Sequence, residues 1–192
     1  VEGKRMSKAI DLYVSSSPEL LAEREIVGQV VAGYPLTLGW QIDHTPLPGQ
    51  VSTDHVDRVL VCDVYAIILG QDFSAPMGAE LRQARQKGVS PLAYRKKCMR
   101  SPSSLDAVRN LIEWRSFATP AGFRALLRRD LLQALLQQAI RLGLDLDELE
   151  RLLDLAQNDV ERVTKGVDST ESRREAGHSG VILGREIWEV EP

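Results

Sequence analysis

An α/β fold with a mostly parallel sheet is what residues 7–118 predict, on three observations. Short apolar, strand-like runs alternate with segments carrying helix starts and one apolar side. The run Val64-Tyr65-Ala66-Ile67-Ile68-Leu69-Gly70 is apolar along its length, as a strand buried on both faces must be. At Thr119-Pro120 the composition turns into a helical stretch rich in Leu, Arg, Gln and Ala. The expected sheet has five parallel strands in the order 2-1-3-4-5, with helices on both faces.

The elements follow in order. Ile10, Leu12 and Val14 alternate with Asp11 and Tyr13 in a first strand, which Ser15-Ser16-Ser17-Pro18 stops. Ser17 and Pro18 read as the N-cap and first position of a helix buried through Leu20, Ile26, Val27, Val30 and Val31 and ended by Gly33. Tyr34 to Trp40 reads as the second strand, with Pro35 tolerated at its start. His44 to Gln50 is a loop, and Ser52-Thr53-Asp54 caps a short helix carrying Val56, Val59 and Leu60. After the central strand comes a helix from Gly78 to Gly88, with Gly88 as its C-terminal cap. Val89 to Tyr94 is the fourth strand, Ser103-Ser104 starts a helix through Leu105, Val108, Leu111 and Ile112, and Trp114 to Ala118 is an edge strand.

Residues 119–165 read as a helical hairpin interrupted at Gly143. In its second arm Leu146, Leu149, Leu153, Ala156, Val160 and Val163 recur at steps of three and four, an a/d-like seam of about two and a half heptads. Such a seam packs against the preceding helix, against another copy, or against a downstream domain. Residues 166–192 read as a polar linker and an apolar tail that docks on something, Val181 to Val190 being strand-like.

The bulk chemistry narrows the field. A net charge of −3, from 24 basic and 27 acidic residues, gives no basic stripe for nucleic acid. No apolar run reaches the roughly 20 residues of a membrane span, and the first residues carry no signal-peptide core. Cys62 and Cys98 fit neither a zinc spacing nor a disulfide framework, so a reducing cytoplasm is expected. His44, His55 and His178 are scattered, and no metal is expected.

The candidate centre is Glu80, on the helix after the central strand, one loop beyond the strand's carboxyl end, where open α/β sheets bind ligands. The competing role is that of an anion near a helix N-terminus, worth about 0.3–1 kcal/mol. Asp72, in the loop after the central strand, suits either a ribose hydroxyl or an ordinary turn, and Asp63 suits a cap. Trp40 suits either a base stack or the core. Glu23 and Arg24 carry no catalytic role, Arg24 fixing its helix to the sheet edge.

The opening Ile10-Asp11-Leu12-Tyr13-Val14-Ser15-Ser16-Ser17-Pro18-Glu19-Leu20-Leu21-Ala22-Glu23-Arg24 resembles a specific family. It is similar to the TIR-like N-terminal domains of uncharacterised function that precede ATPase and repeat regions in multidomain bacterial proteins. Asp63 to Gly70 resembles that family's second signature, and Ala79-Glu80-Leu81 with Ala84 and Gly88 its third, so the likeness covers about residues 8–118. It implies a flavodoxin-like sheet shared with TIR domains, some of which hydrolyse the N-glycosidic bond of NAD, and with nucleoside 2-deoxyribosyltransferases, which exchange bases. In both groups a glutamate on the helix after the central strand acts at the glycosidic centre, and Glu80 is the matching position. A carboxylate beneath C1 stabilises or captures the oxocarbenium-like state. The likeness also implies that Ser15, Ser16 and Ser17, at the first strand's carboxyl end, face the same crevice and hold a ribose or phosphate with the following helix N-terminus. NAD enters as a possible substrate, with no cofactor. Two departures stand out: Pro76 replaces the tryptophan common in NAD-cleaving TIR domains, and Pro76-Met77 replaces the Gly-Thr of the transferases. The resemblance thus leaves open a nucleotide-cleaving effector or signalling domain, a non-catalytic interaction or oligomerisation module, and a base-exchange enzyme.

Overall fold

The computed structural model describes residues 9–47, 49 and 54–158. The Ser52 and Thr53 caps, the seam residues Val160 and Val163, and the linker and tail at 166–192 lie outside the described residues. The chain runs β1 (Ile10–Ser16), α1 (Leu21–Val31), β2 (Trp40–His44), α2 (His55–Val61), β3 (Val64–Leu69), α3 (Ala75–Lys87), β4 (Leu92–Lys96), α4 (Pro102–Asn110), β5 (Arg115–Phe117) and α5 (Pro120–Leu142). A further helix, α6, occupies residues 146–158. The sheet order is β2-β1-β3-β4-β5 with every pair parallel, the flavodoxin-like arrangement expected.

Alternation along β1 divides the interior in two. Leu12 and Val14 face a core built with α1, α5 and Leu152 of α6. Tyr13 joins the opposite core, where Met77, Leu81 and Ala84 of α3 pack with Val59 of α2 and Ala107 of α4. β3 is buried at all six positions because both cores close over it. α5 is part of the first core rather than an appendage: Phe123, Leu127, Leu131 and Leu135 are all buried there.

Several boundaries differ from the sequence reading. Residues 34–39 are turns, and β2 starts at Trp40. Leu36 and Leu38 still pack on the core, so their apolar character comes from loop burial and not from sheet pairing. β4 likewise begins three residues after Val89, at Leu92. Ser17 does not cap α1: its hydroxyl donates to the Asp72 carbonyl at 2.6 Å and accepts from the Gly70 amide at 2.9 Å. α3 begins at Ala75, not Gly78, because Ser74 is extended and Pro76 fits the first turn. α4 likewise begins behind Ser101, whose side chain caps the Ser104 amide.

The phase of α6 is also different. A reciprocal capping box joins Asp145 and Glu148: the Glu148 amide donates to Asp145 Oδ1 at 2.8 Å, and the Asp145 amide to Glu148 Oε2 at 3.1 Å. Glu148 Oε1 then accepts from the Thr37 amide at 2.8 Å and from its hydroxyl. This anchor turns Glu148 and Leu152 inward, leaving Leu146 69% and Leu153 44% exposed. Burial pushes the Glu148 carboxyl up, but the Thr37 hydroxyl and the backbone amides outweigh it and hold the group below its ordinary value. Among the described residues no helix is long and apolar enough to cross a membrane.

Candidate functional site

The crevice at the carboxyl ends of β1 and β3 is where the parallel sheet brings polar groups together. Glu80 lies in the second turn of α3, on the inward side it shares with Met77, Leu81 and Ala84, and is 0% exposed. The first turn of α3 holds no acidic residue, so an N-terminal dipole role does not apply to Glu80.

Three hydroxyls hold its carboxylate. Tyr13 Oη donates to Oε1 at 2.8 Å, Ser15 Oγ to Oε2 at 2.6 Å, and Thr45 Oγ1 to Oε2 at 2.7 Å. Tyr13 and Ser15 reach it because residues two apart on β1 point to the same face. Thr45 reaches it because its own amide continues the β1–β2 ladder to the Val14 carbonyl at 3.1 Å. Among the described residues no lysine or arginine forms an ion pair with Glu80. Arg24 exerts a cationic influence without touching the carboxylate, donating from Nε to Ser16 Oγ at 2.6 Å. Burial pulls the Arg24 guanidinium below its ordinary value, with the Glu80 charge opposing that shift. Burial, then the Glu80 charge and hydrogen bond, raise the Tyr13 phenol far above its ordinary value, so it stays a proton donor.

Beside this cage opens a polar pocket of about 230 Å³, lined by Tyr13, Asp43, His44, Asp54, His55 and Arg58. His44 Nδ1 is buried there without a hydrogen-bond partner. Burial foremost, then Arg24, lowers the His44 pKa, while Asp43 opposes them. Tyr13 belongs to both the pocket and the cage. Among the described residues no group of His, Cys, Asp and Glu could hold a metal.

The candidates from the sequence separate on this geometry. Ser15 touches Glu80, whereas Ser16 is engaged by Arg24 and by the Thr45 hydroxyl, which accepts from the Ser16 amide at 3.2 Å. Ser17 ties β1 to the loop after β3. Asp72 lies on the same rim, exposed, and accepts from Ser101 and Ser103 at 2.6 and 2.7 Å, bonds that lower its pKa. Trp40 is elsewhere: it pairs with Ile10 at the amino end of the sheet, stacks on Tyr34 at 6.2 Å, and packs on the opposite core. Asp63 also sits at the amino ends, accepting from the Asp11 amide and meeting Arg141 at 3.5 Å. Tyr13, Thr45 and His44 were not singled out as site residues from the sequence, and Arg24 was given only the role of fixing its helix to the sheet edge. The Tyr13–Ser15 alternation was readable; Thr45 and His44 were hidden by the displaced second strand.

No protein-family model matches this chain, and no curated protein sequence matches it.

Proposed function

We propose that the chain is a TIR-like effector or signalling domain whose crevice takes a nucleotide and whose Glu80 acts on its N-glycosidic bond, NAD being the type of substrate. One observation carries this reading: a buried carboxylate, bonded among the described residues only by hydroxyls and paired with no cation, lies beside a polar pocket at the carboxyl ends of the strands. An ion pair would spend the charge of Glu80 on a neighbour. Hydroxyl donors leave the field of the carboxylate for a positive centre developing nearby, and low local dielectric strengthens that field. Release of the Tyr13 bond frees Oε1 to meet C1 of a sugar, while Thr45 stays on Oε2. Ser15 keeps the other oxygen oriented.

The measurement is nicotinamide release from NAD by the full chain, alone and crowded on a scaffold, with deoxynucleoside base exchange run beside it. Glu80→Gln should abolish turnover with little change in melting temperature. Exchange without hydrolysis would assign the chain to the transferase chemistry. A second reading is favoured by the complete enclosure of Glu80, which is 0% exposed: the domain is a non-catalytic interaction module and the cage is a polar core. Absence of both reactions from the wild type selects that reading.

A further inference from the structure

Two exposed surfaces complement each other. The first is a groove of about 540 Å³ on α3 and α4, lined by the apolar Phe73, Gly78, Leu81 and Leu111 and by the polar Arg82, Arg85, Gln86 and Asp106. Among the described residues neither arginine makes an ion pair.

The second is the outward side of α6. Leu146 and Leu153 are exposed at a spacing of seven residues, two helical turns on one side. Asp147, Glu150 and Asp154 are exposed along one flank of that ridge. The ridge between the leucines is about 10 Å long, and the α3 floor from Gly78 to Gln86 about 12 Å, at 1.5 Å per residue. Apolar length matches apolar length, and an acidic flank matches a groove whose two arginines outnumber its one aspartate, Asp106.

These surfaces belong to opposite sides of the sheet. Leu152 carries α6 into the core shared with α1 and α5, whereas Leu81 and Ala107 hold α3 and α4 on the other core. A chain therefore cannot place its own α6 in its own groove. We propose that the acidic, leucine-bearing ridge of α6 docks in the α3–α4 groove of a second copy of this chain. The contact joins two different patches, so it is heterologous, and repetition builds a ring or an open chain of copies. It stands independently of any reaction at Glu80.

The test uses three variants of the full chain. Leu146→Ser with Leu153→Ser removes the ridge and keeps the groove. Arg82→Glu with Arg85→Glu reverses the groove rim and keeps the ridge. All four positions are exposed, so melting curves should match the wild type. Arg82→Gln with Arg85→Gln tests the groove without charge reversal. Sedimentation at rising concentration should give the wild type a mass above one chain that falls with added salt. Each variant alone should lose that association and run as one chain. A 1:1 mixture should form dimers and nothing larger, because only one ridge–groove pair is then intact. A wild type of single-chain mass at every concentration would overturn the proposal. So would a groove variant that assembles like the wild type, or a mixture that stays monomeric.

Discussion

Glu80 and Asp130 are both buried carboxylates, held on opposite sides of one sheet by different partners. Asp130 of α5 accepts from Tyr94 at 2.9 Å and forms ion pairs with Arg115 of β5 and Arg129. Its charge is neutralised by cations whose side chains reach solvent, at 49% and 63% exposure. Its work is to pin α5 across β4 and β5. Glu80 has three hydroxyls and no such cation, and a pocket adjoins it. A buried carboxylate with cationic partners stabilises a fold; one bonded only by hydroxyls retains a charge that can act on something else.

The widest separation should come from Asp130→Ala. It strands the buried Tyr94 hydroxyl and leaves two arginines without their anion. Because those arginines are half-exposed, the loss should be about 2–4 kcal/mol, at or below the range for a fully buried pair, read by denaturant unfolding. An effect below about 1 kcal/mol would erase the structural half of the contrast.

Next is Thr45→Val, which keeps the side-chain shape but removes a donor to Glu80 and an acceptor for the Ser16 amide. It should cost about 1–3 kcal/mol, as lost partners of buried groups do. Glu80→Gln should be milder, within about 1 kcal/mol, since the surrounding hydroxyls can rotate to accept from the amide. If Glu80→Gln unfolds the protein as severely as Asp130→Ala, the two carboxylates are alike and the contrast fails.

The smallest effect is a pH dependence. His44 has a lowered pKa when folded, so the unfolded chain binds its proton more readily. Stability is therefore fully present above the ordinary histidine value of about 6.5 and declines as pH falls below it. Glu148, also lowered, adds a loss only at pH values below the ordinary glutamate range. Thermal melting between neutral and mildly acidic pH should show the decline, and His44→Gln should flatten it.

The topology was legible because strand runs and apolar sides alternated along the domain even where the expected caps failed, and period-2 patterning of β1 survives any small boundary error. The position of Glu80 beyond the central strand was readable for the same reason. What encloses it was only partly readable. Thr45 and His44 depend on where β2 lies, and Leu36 and Leu38 imitate a strand while packing from turns. Trp40 seemed suited to a ligand because sequence does not say which end of a strand a residue occupies; the register with Ile10 does. The α6 seam misled by its spacing, since the Glu148–Thr37 bond, and not the leucine repeat, sets the helix phase.

That bond has a consequence in time. Thr37 and Glu148 are 111 residues apart, and no local segment brings them together. Closing so large a loop is affordable only after β1, β2 and α1 have already formed the surface that holds Thr37. α6 should therefore be the last element to dock during folding and the first to lift off in the native state. Its amides should lose hydrogen-exchange protection before those of β1 and β3. α6 then serves as a seal on the finished sheet, closing after assembly and opening without dismantling it.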